Sequence, residues 1–431
     1  MKVKGKIESG DYVEVKLGKK NYNGVLLKNP ESEKGIILLK LDSGYNIGIN
    51  KKDILSMDLI RKFSEKEKKT EIKKDREKPN IAMIITGGTI ASSYDSKTGG
   101  VHPLTNPDEL FKYYPELFEV ANIAKVEVPF MKASEDMNFK DWQKIARVSE
   151  KLLNDSNIRG IIITHGTDFL HYTSSALGFF LRNLSKPVVL TYSQRSIDRA
   201  SSDANLNLRC SALAAISDIA EVMLVGHATI NDNFCYAIPG TKARKMHSSK
   251  RDAFKPINSK PFAKIFPDRI DFISEHKNRD NKKKVKTDVK FEDKVALVKV
   301  YPGQNPEILD FYLRKKYKGI VIEASGLGHV PSKDAGIKMS WIKKLNEIQK
   351  KGMIVCITTQ TIYGRVDPFV YSNGREILKT GAIYLEDMLS ETAFVKLSWV
   401  LGHKDWARKK EVVKEKMLEN ISHEINRRLE A

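Results

Sequence analysis

The chain has 431 residues, of which 41% are hydrophobic, and a formal net charge of +20 at pH 7; this length predicts two or three domains with substantial cores. No apolar run approaches the roughly 18 residues of a membrane-spanning helix, and the first residues lack the apolar core of a signal peptide, so we expect a cytoplasmic protein with no membrane contact. The three cysteines, Cys210, Cys235 and Cys356, stand far apart without metal-ligand spacing, which predicts reduced thiols rather than a metal or redox site.

Residues 1–60 have the pattern of a small all-β domain. The stretch "DYVEVKLG" alternates apolar and charged residues, and further short strands follow with Gly, Asn and Asp in the turns between them. Several short strands in so few residues predict a small barrel of the SH3-like or OB-like kind. A barrel of this kind usually binds a partner rather than catalyses a reaction.

Two strongly charged segments carry much of the net charge. Residues 61–79 end at Pro79 and predict a solvated linker, whereas residues 276–290 are mostly basic and are typical of a solvated surface. The basic excess therefore permits a nucleic-acid partner without requiring one.

From residue 80 to residue 285, apolar strands alternate with amphipathic helices. Continuous apolar runs such as "IAMIIT", "RGIIIT" and "KPVVLT" predict buried strands, and residues 138–154 place their apolar side chains on one helical face. This alternation predicts a parallel sheet with helices on both faces, in which ligands bind at the carboxyl ends of the strands. A smaller set of the same kind occupies residues 290–431 and ends in helices. The predicted fold class is α/β, a two-domain parallel-sheet core preceded by the small barrel.

Two of the predicted strands end in loops rich in hydroxyl groups, "IITGGTIAS" at residues 84–92 and "IIITHGTD" at residues 161–168. The first loop lacks the Lys-Ser/Thr of a phosphate-binding P-loop and the spacing of GxGxxG. The remaining interpretations are a threonine nucleophile and a tight turn, with Asp168 as a helix cap. His165 suits either a Ser/His/Asp-type relay or core packing, and His165 with His171 has no third ligand at metal spacing.

Together and in this order, "TGGTIAS" and "ITHGTD" resemble the two threonine motifs of the bacterial-type L-asparaginase/glutaminase family. The resemblance runs from about residue 81 to about residue 400 and includes "KASEDMN" (132–138), which is similar to a substrate-binding segment of the family. It also includes "GTKARKMHSSKRDAF" (240–254), which is similar to the segment that carries an active-site lysine. The resemblance implies an asparaginase-like core.

The resemblance also implies roles for individual residues. Thr89 becomes the nucleophile, although the family leaves open whether Thr89 or the second threonine attacks first. The implied catalytic residues are Thr89, Thr167, Asp168 and Lys245. Lys245 is preferred over Lys242 and Lys250 because Phe254 follows it at the family's spacing.

Four further positions are implied to bind substrate. Ser134 would contact the α-carboxylate end of the substrate and Asp168 its α-amino group, while backbone N–H groups of the glycine turns would stabilise an oxyanion. The implied substrate-binding residues are Ser134, Glu135, Gly88 and Gly166. No metal and no cofactor is expected in this chain.

Three features differ from a free-standing asparaginase: the barrel, Glu135 where the free enzymes commonly have Gln, and the arginine-rich stretch at residues 193–208. This combination resembles the archaeal glutamyl-tRNA(Gln) amidotransferases, in which an asparaginase-type subunit releases ammonia from glutamine or asparagine. The resemblance implies a homodimer core, to which residues 323–336 contribute a loop, and two docked E subunits. ATP and Mg²⁺ are then expected on the E subunit, which would amidate Glu-tRNA(Gln).

Two alternatives remain open at this point. One is a free-standing cytosolic L-asparaginase with an accessory barrel. The other is a non-catalytic RNA-binding or scaffold protein on a degenerate asparaginase fold, which the basic charge and the barrel favour and the intact set of catalytic residue types opposes.

Overall fold

The computed structural model describes most of the chain. The described residues are 2–4, 6–18, 20–28, 35–42, 46–62, 75, 77–94, 101–103, 116–195, 202–334 and 340–428. The predicted charged linker at residues 61–79 lies largely outside them. Within the described part, no helix combines the length and the apolar character needed to cross a bilayer.

The N-terminal region is an all-β unit, as predicted. Its strands are β1 (Lys2–Lys4), β2 (Tyr12–Lys16), β3 (Asn21–Leu27), β4 (Ile36–Leu41), β5 (Asn46–Asn50) and β6 (Ser56–Arg61). They pair in the order β1-β6-β2-β3-β4-β5, with β1 parallel to β6 and the other pairs antiparallel. Val13 and Val15 alternate with more exposed neighbours and join Leu39 in a hydrophobic cluster of the unit's own.

A large sheet forms the centre of the molecule. The strands from this part of the chain are β7 (Asn80–Ile85), β8 (Ser92–Tyr94), β9 (Val101–Pro103), β10 (Asn122–Glu127), β11 (Ile161–Thr164), β12 (Leu181–Arg182), β13 (Val188–Thr191), β14 (Val222–His227), β15 (Cys235–Pro239), β16 (Ala243–Lys245), β17 (Phe254–Pro256), β18 (Ala263–Ile265), β19 (Ile270–Phe272) and β20 (Lys286–Thr287). The helices are α1 (Leu117–Val120), α2 (Phe139–Leu153), α3 (Leu170–Phe180) and α4 (Ala204–Ile216).

Eight of these strands pair in the order β10-β7-β11-β13-β14-β15-β18-β19. The first five are parallel, whereas β15, β18 and β19 add in the antiparallel sense. The sheet is therefore mixed rather than wholly parallel, because short hairpins follow β14 where the parallel pattern predicts another crossover helix. Ile84 and Ile163 pack into one hydrophobic cluster and Met83 and Ile162 into another, so the parallel part is buried on both faces.

Helix α2 shows how local sequence sets these elements. Asn138 caps its first turn by accepting the N–H of Lys140, and the Asp141 carboxylate accepts the N–H of Asn138 in return. Trp142 and Ile145 then lie on the buried face. The helix observed, Phe139–Leu153, confirms the amphipathic pattern predicted for residues 138–154.

The C-terminal region is a smaller parallel sheet with helices. Its strands are β21 (Val295–Lys299), β22 (Gly319–Ala324), β23 (Ile354–Thr359) and β24 (Ile383–Tyr384), and its helices are α5 (Ile308–Arg314), α6 (Trp341–Lys350), α7 (Ser372–Lys379), α8 (Ser390–Gly402), α9 (Lys404–Ala407) and α10 (Lys410–Leu418). Helix α8 is buried almost all round and joins the two α/β regions, with Trp399 stacked on Phe179 of α3. Its amino terminus lies close to the site described next.

Candidate active site

The two threonine loops leave the same edge of the large sheet. Strands β7 and β11 are parallel neighbours, with Thr164 in register with Ile85, so both chains turn out of the sheet at their carboxyl ends. Gly87 and Gly88 have φ values of +125° and +86°. A Cβ on Gly88 would lie 2.5 Å from the backbone nitrogen of Gly166. Glycine is therefore required at position 88 for the two loops to touch.

The two threonines of "TGGT" have different environments. Thr86 is fully buried, and its hydroxyl donates to the carbonyl oxygen of Thr164 at 2.7 Å. Thr89 is half-buried and begins a short 3₁₀ turn, Thr89–Ala91. The hydroxyl of Thr86 thus ties the two loops together, whereas Thr89 stays partly exposed at the sheet edge.

The second loop and the β16–β17 hairpin bring three predicted residues together. The ammonium of Lys245 donates to the Thr167 hydroxyl at 2.8 Å and to the Asp168 carboxylate at 2.7 Å. The side chain of Lys245 is 11% exposed and that of Asp168 is 60% exposed. A shielded lysine therefore contacts a threonine hydroxyl, while a carboxylate beside it stays open to solvent.

The hairpin explains why Lys245 occupies this position. Lys245 is the register partner of Phe254, whose ring packs against the rings of Tyr192 and His171. Of the other two candidate lysines, Lys242 is fully buried against Asp387 and Lys250 is exposed beyond the hairpin strand. Among these three, Lys245 is the one that the structure places beside Thr167.

Ser134 belongs to a third loop packed on the same point. It is buried, and its hydroxyl oxygen accepts the backbone N–H groups of Asp168 at 3.2 Å and Phe169 at 3.5 Å. A Cβ on Gly166 would lie 2.9 Å from the same oxygen. The neighbouring Glu135 is exposed, and its carboxylate accepts the Ser134 hydroxyl at 3.4 Å. The structure thus gathers the predicted residues from three loops and the β16–β17 hairpin.

The two histidines near this cluster are buried, which favours their neutral form. Burial lowers the pKa of His165 to about 4, and its Nδ1 lies 2.7 Å from the Gly166 carbonyl and its Nε2 2.9 Å from the Thr173 hydroxyl. Burial, together with the charges of Arg244 and Lys245, lowers the pKa of His171 to about 3. Of the two interpretations open for His165, its environment supports packing and loop bracing.

One ion pair beside the cluster was not predicted from the sequence. Arg244 Nη2 lies 3.1 Å from the Oε1 atom of Glu391, which comes from the first turn of α8 in the C-terminal region. Arg244 and Lys245 are consecutive residues of a strand, so the sequence indicates that their side chains point to opposite sides of it. Nothing in the sequence indicates which acid it meets.

Three other features considered in the sequence are the loop of residues 323–336, metal ligands and the cysteines. His329, in the loop of residues 323–336, packs its ring against Tyr371 in the C-terminal region, and residues 335 and 336 of that loop are not described. In the described part of the chain, no group of three or more His, Cys, Asp or Glu side chains is placed to hold a metal ion. The three cysteines are buried and free.

Family models match three parts of the chain. Residues 80–278 match the model "Asparaginase, N-terminal", residues 294–414 match "Glutaminase/Asparaginase C-terminal domain", and residues 7–60 match "GatD N-terminal domain". The two asparaginase models together span well over half of the chain.

Similar proteins and structures agree with these matches. The chain is 48% identical to the D subunit of the glutamyl-tRNA(Gln) amidotransferase of Pyrococcus furiosus, over 99% of this chain and 96% of that protein. It is 41% identical to the same subunit of Methanothermobacter thermautotrophicus, over 98% and 95% of the two chains. Among solved structures, the thermostable L-asparaginase from Thermococcus kodakarensis has a TM-score of 0.70 at 30% identity, covering 80% of this chain and 99% of that chain.

Proposed function

The chain belongs to the asparaginase/glutaminase family, among the D subunits of glutamyl-tRNA(Gln) amidotransferase, and from this premise we propose that it releases ammonia from glutamine or asparagine for a tRNA-dependent amidotransferase. The observation that carries the proposal is the contact of Lys245 with Thr167 and Asp168, next to the loop that bears Thr89. The match to the "GatD N-terminal domain" model favours the amidotransferase subunit over a free-standing asparaginase.

The proposed chemistry uses the accessible threonine as nucleophile. The Thr89 oxygen attacks the side-chain amide carbon, the C–N bond breaks, and the leaving nitrogen takes a proton to become ammonia. Water then hydrolyses the ester on Thr89, which yields glutamate or aspartate and restores the hydroxyl. Thr167 and Lys245 form the proton path: the Lys245 ammonium gives a proton through the Thr167 hydroxyl to the leaving nitrogen, and the proton of the Thr89 hydroxyl replaces it.

The remaining residues bind and orient the substrate. Asp168 pairs with the α-amino group of the substrate, because the Asp168 carboxylate is exposed to solvent. Ser134 lies at the α-carboxylate end of the substrate. Glu135 lies beside Ser134 and adjusts side-chain recognition. Backbone N–H groups near Gly88 and Gly166 stabilise the oxyanion that forms during attack.

The assembly is the second part of the proposal. Two copies of this chain form a cytoplasmic homodimer core, and each binds one E subunit of the amidotransferase. The E subunit, which carries ATP and Mg²⁺, uses the ammonia to convert Glu-tRNA(Gln) into Gln-tRNA(Gln). The names of the relatives and the net charge of +20 support a tRNA-bound complex.

Ammonia release by two variants at Thr89 tests the catalytic part. Thr89→Val removes the hydroxyl at nearly constant volume and should lower kcat by about 10²-fold or more, whereas Thr89→Ser, which keeps a hydroxyl, should retain measurable turnover. Both variants should unfold at the wild-type temperature. Unchanged ammonia release by Thr89→Val would rule out Thr89 as the nucleophile.

Addition of the partner and tRNA tests the physiological role. Glutaminase activity should rise when the E subunit and Glu-tRNA(Gln) are added to the purified chain. Full-rate asparagine hydrolysis that ignores both additions would instead identify a free-standing asparaginase with an accessory N-terminal unit.

A further inference from the structure

Glu391 is a buried carboxylate on α8 of the C-terminal region. It contacts β16, the strand of the larger α/β region that carries Lys245. Its side chain is 10% exposed, and its Oε1 atom lies 3.1 Å from Arg244 Nη2 and 3.9 Å from His171 Nε2. Its Oε2 atom is buried without a hydrogen-bond partner in the described structure. Burying a carboxylate oxygen without a hydrogen-bond partner costs free energy, so we infer that Glu391 has a role other than packing.

The two groups that face Glu391 belong to the segments that build the catalytic cluster. Arg244 directly precedes Lys245 on β16, and His171 lies in the first turn of α3, three residues after Asp168. Because neighbouring side chains on a strand point to opposite sides, a restraint on Arg244 fixes the direction of Lys245. Glu391 therefore contacts Arg244, the residue before Lys245, and faces His171, which lies shortly after Asp168 in the chain.

The amino terminus of α8 is itself held firmly. The Thr392 hydroxyl donates to the carbonyl oxygen of Thr241 at 2.8 Å and lies 3.0 Å from the Ser175 hydroxyl. The Ser390 hydroxyl lies 2.9 Å from that of Thr358 on β23. These bonds attach the start of α8 to β23, to α3 and to the chain just before β16. These bonds therefore restrain the position of the Glu391 carboxylate, which lies on the same turn.

We propose that Glu391 is a positioning residue, which holds Lys245 within hydrogen-bond distance of Thr167 by pairing with Arg244 and facing His171. The inference rests on the proposed function only in calling Lys245 catalytic. The alternative is an ion pair that stabilises the contact between the two regions without affecting the direction of Lys245.

The matched pair of variants is Glu391→Gln and Glu424→Gln. Glu424, in the segment that follows α10, is also a buried glutamate. It accepts a hydrogen bond at 2.5 Å from Lys396, which lies on α8 as Glu391 does. Both variants remove one buried charge that anchors α8. Only Glu391→Gln should lower kcat for ammonia release, by about 10-fold to 10²-fold with KM within about twofold, because misplacement of a catalytic group affects the chemical step.

Chemical labelling of Lys245 supplies a readout that does not depend on turnover. Brief reductive methylation followed by peptide mass spectrometry measures how accessible the amine is in the full-length protein. Labelling of Lys245 should be several-fold faster in Glu391→Gln than in wild type, and unchanged in Glu424→Gln. Arg244→Gln should reproduce the effect, and the double variant should add little to either single one.

The outcomes separate this inference from the proposed function. A wild-type chain without amidase activity would contradict the proposed function, and the labelling rates would still decide the role of Glu391. Equal Lys245 labelling in Glu391→Gln, Glu424→Gln and wild type would overturn the inference. If Glu391→Gln does not fold, Arg244→Gln gives the same decision from the other side of the ion pair.

Discussion

Lys242 and Lys245 lie three positions apart in the sequence but have opposite surroundings. Lys242 is fully buried, and its ammonium bonds the Asp387 carboxylate at 2.6 Å. Lys245 remains partly exposed and divides its hydrogen bonds between Thr167 and Asp168. A fixed, fully desolvated ion pair suits a structural role, whereas a shared ammonium beside a hydroxyl suits proton transfer.

Lys245→Met tests the role of the shared ammonium. Methionine keeps most of the length of the side chain but removes the amine, so kcat for ammonia release should fall by about 10²-fold to 10⁴-fold, the usual contribution of a general acid–base group. Lys250→Met, at the exposed lysine beyond the same hairpin strand, is the control and should keep wild-type kcat. Equal activities of the two variants would contradict the assignment.

The buried histidines predict how stability depends on pH. Burial lowers the pKa of His165 to about 4 and that of His171 to about 3, whereas an unfolded chain protonates histidine below about pH 6.5. Between these values the unfolded state binds more protons, so the free energy of unfolding falls as the pH drops from 6.5 toward 4. At pH 5 each histidine should account for a loss of about 2 kcal/mol.

Urea unfolding at pH 7.5 and pH 5.0 measures this loss. His165→Asn removes one titrating ring and should reduce the difference between the two pH values. His247→Gln, at an exposed histidine, should leave the difference as in wild type. If His165→Asn kept the full difference, the ring would not contribute to it.

At the scale of elements, the site depends on the approach of two loops more than on any single bond. Gly88→Ala places a methyl group against the backbone of residues 165–166, so the loops must separate. We expect loss of ammonia release by about 10²-fold or more, because the reacting groups then lie on displaced segments.

Gly303→Ala separates this clash from backbone strain. Gly303 also has a positive φ, +78°, but a Cβ there meets no atom within 4 Å. This variant should lose about 1 kcal/mol of stability from the strained conformation and keep its kcat. If Gly88→Ala also kept kcat, the contact between the loops would not matter for catalysis.

The Lys242–Asp387 pair connects the chain just before β16 to the segment before α8. Lys242→Met should lower the free energy of unfolding by about 3–5 kcal/mol, because it leaves Asp387 buried without its cation. Urea unfolding provides the measurement. Lys351→Met, which breaks the exposed pair with Glu347, is the control and should leave the transition unchanged. A similar transition in both variants would contradict a stabilising role for the buried pair.

Elements with a periodic pattern were predictable from the sequence, and those without one were not. Helix α2 shows a clear apolar face, and the spacing of Lys245 and Phe254 becomes a direct register pair on β16 and β17. Helix α8 is buried almost all round and includes buried polar residues, so its sequence shows no single apolar face and does not indicate which side meets which neighbour. The contact between Glu391 and Arg244 depends on that orientation and was missed for this reason.

At the scale of the whole molecule, strand type was predicted better than strand direction. The apolar runs that form β7, β11 and β13 are buried on both faces, as expected for parallel strands. The antiparallel β15, β18 and β19 are short and follow hairpin turns, so their local sequence lacks the helix that marks a parallel crossover. The apolar runs and crossover helices that identify parallel strands therefore gave no information on these three strands, and the mixed sheet was not predicted.

The N-terminal unit should be dispensable for ammonia release by the isolated chain. Its strands pack around a hydrophobic cluster of their own, and a solved L-asparaginase is matched over 99% of its length by 80% of this chain. A truncated chain should begin at Asp75, because the Asn122 side chain bonds the backbone of Asp75 and Lys78.

This truncated chain should release ammonia from glutamine within about twofold of the full-length rate, since no reacting group is removed. Steady-state ammonia assays on both chains without partner or tRNA provide the measurement, with far-UV circular dichroism to check the fold. A loss of more than about tenfold in a folded truncated chain would show that the N-terminal unit supports the active site directly. If the truncated chain kept its activity in isolation but was no longer stimulated by the E subunit, the N-terminal unit would instead act in the complex.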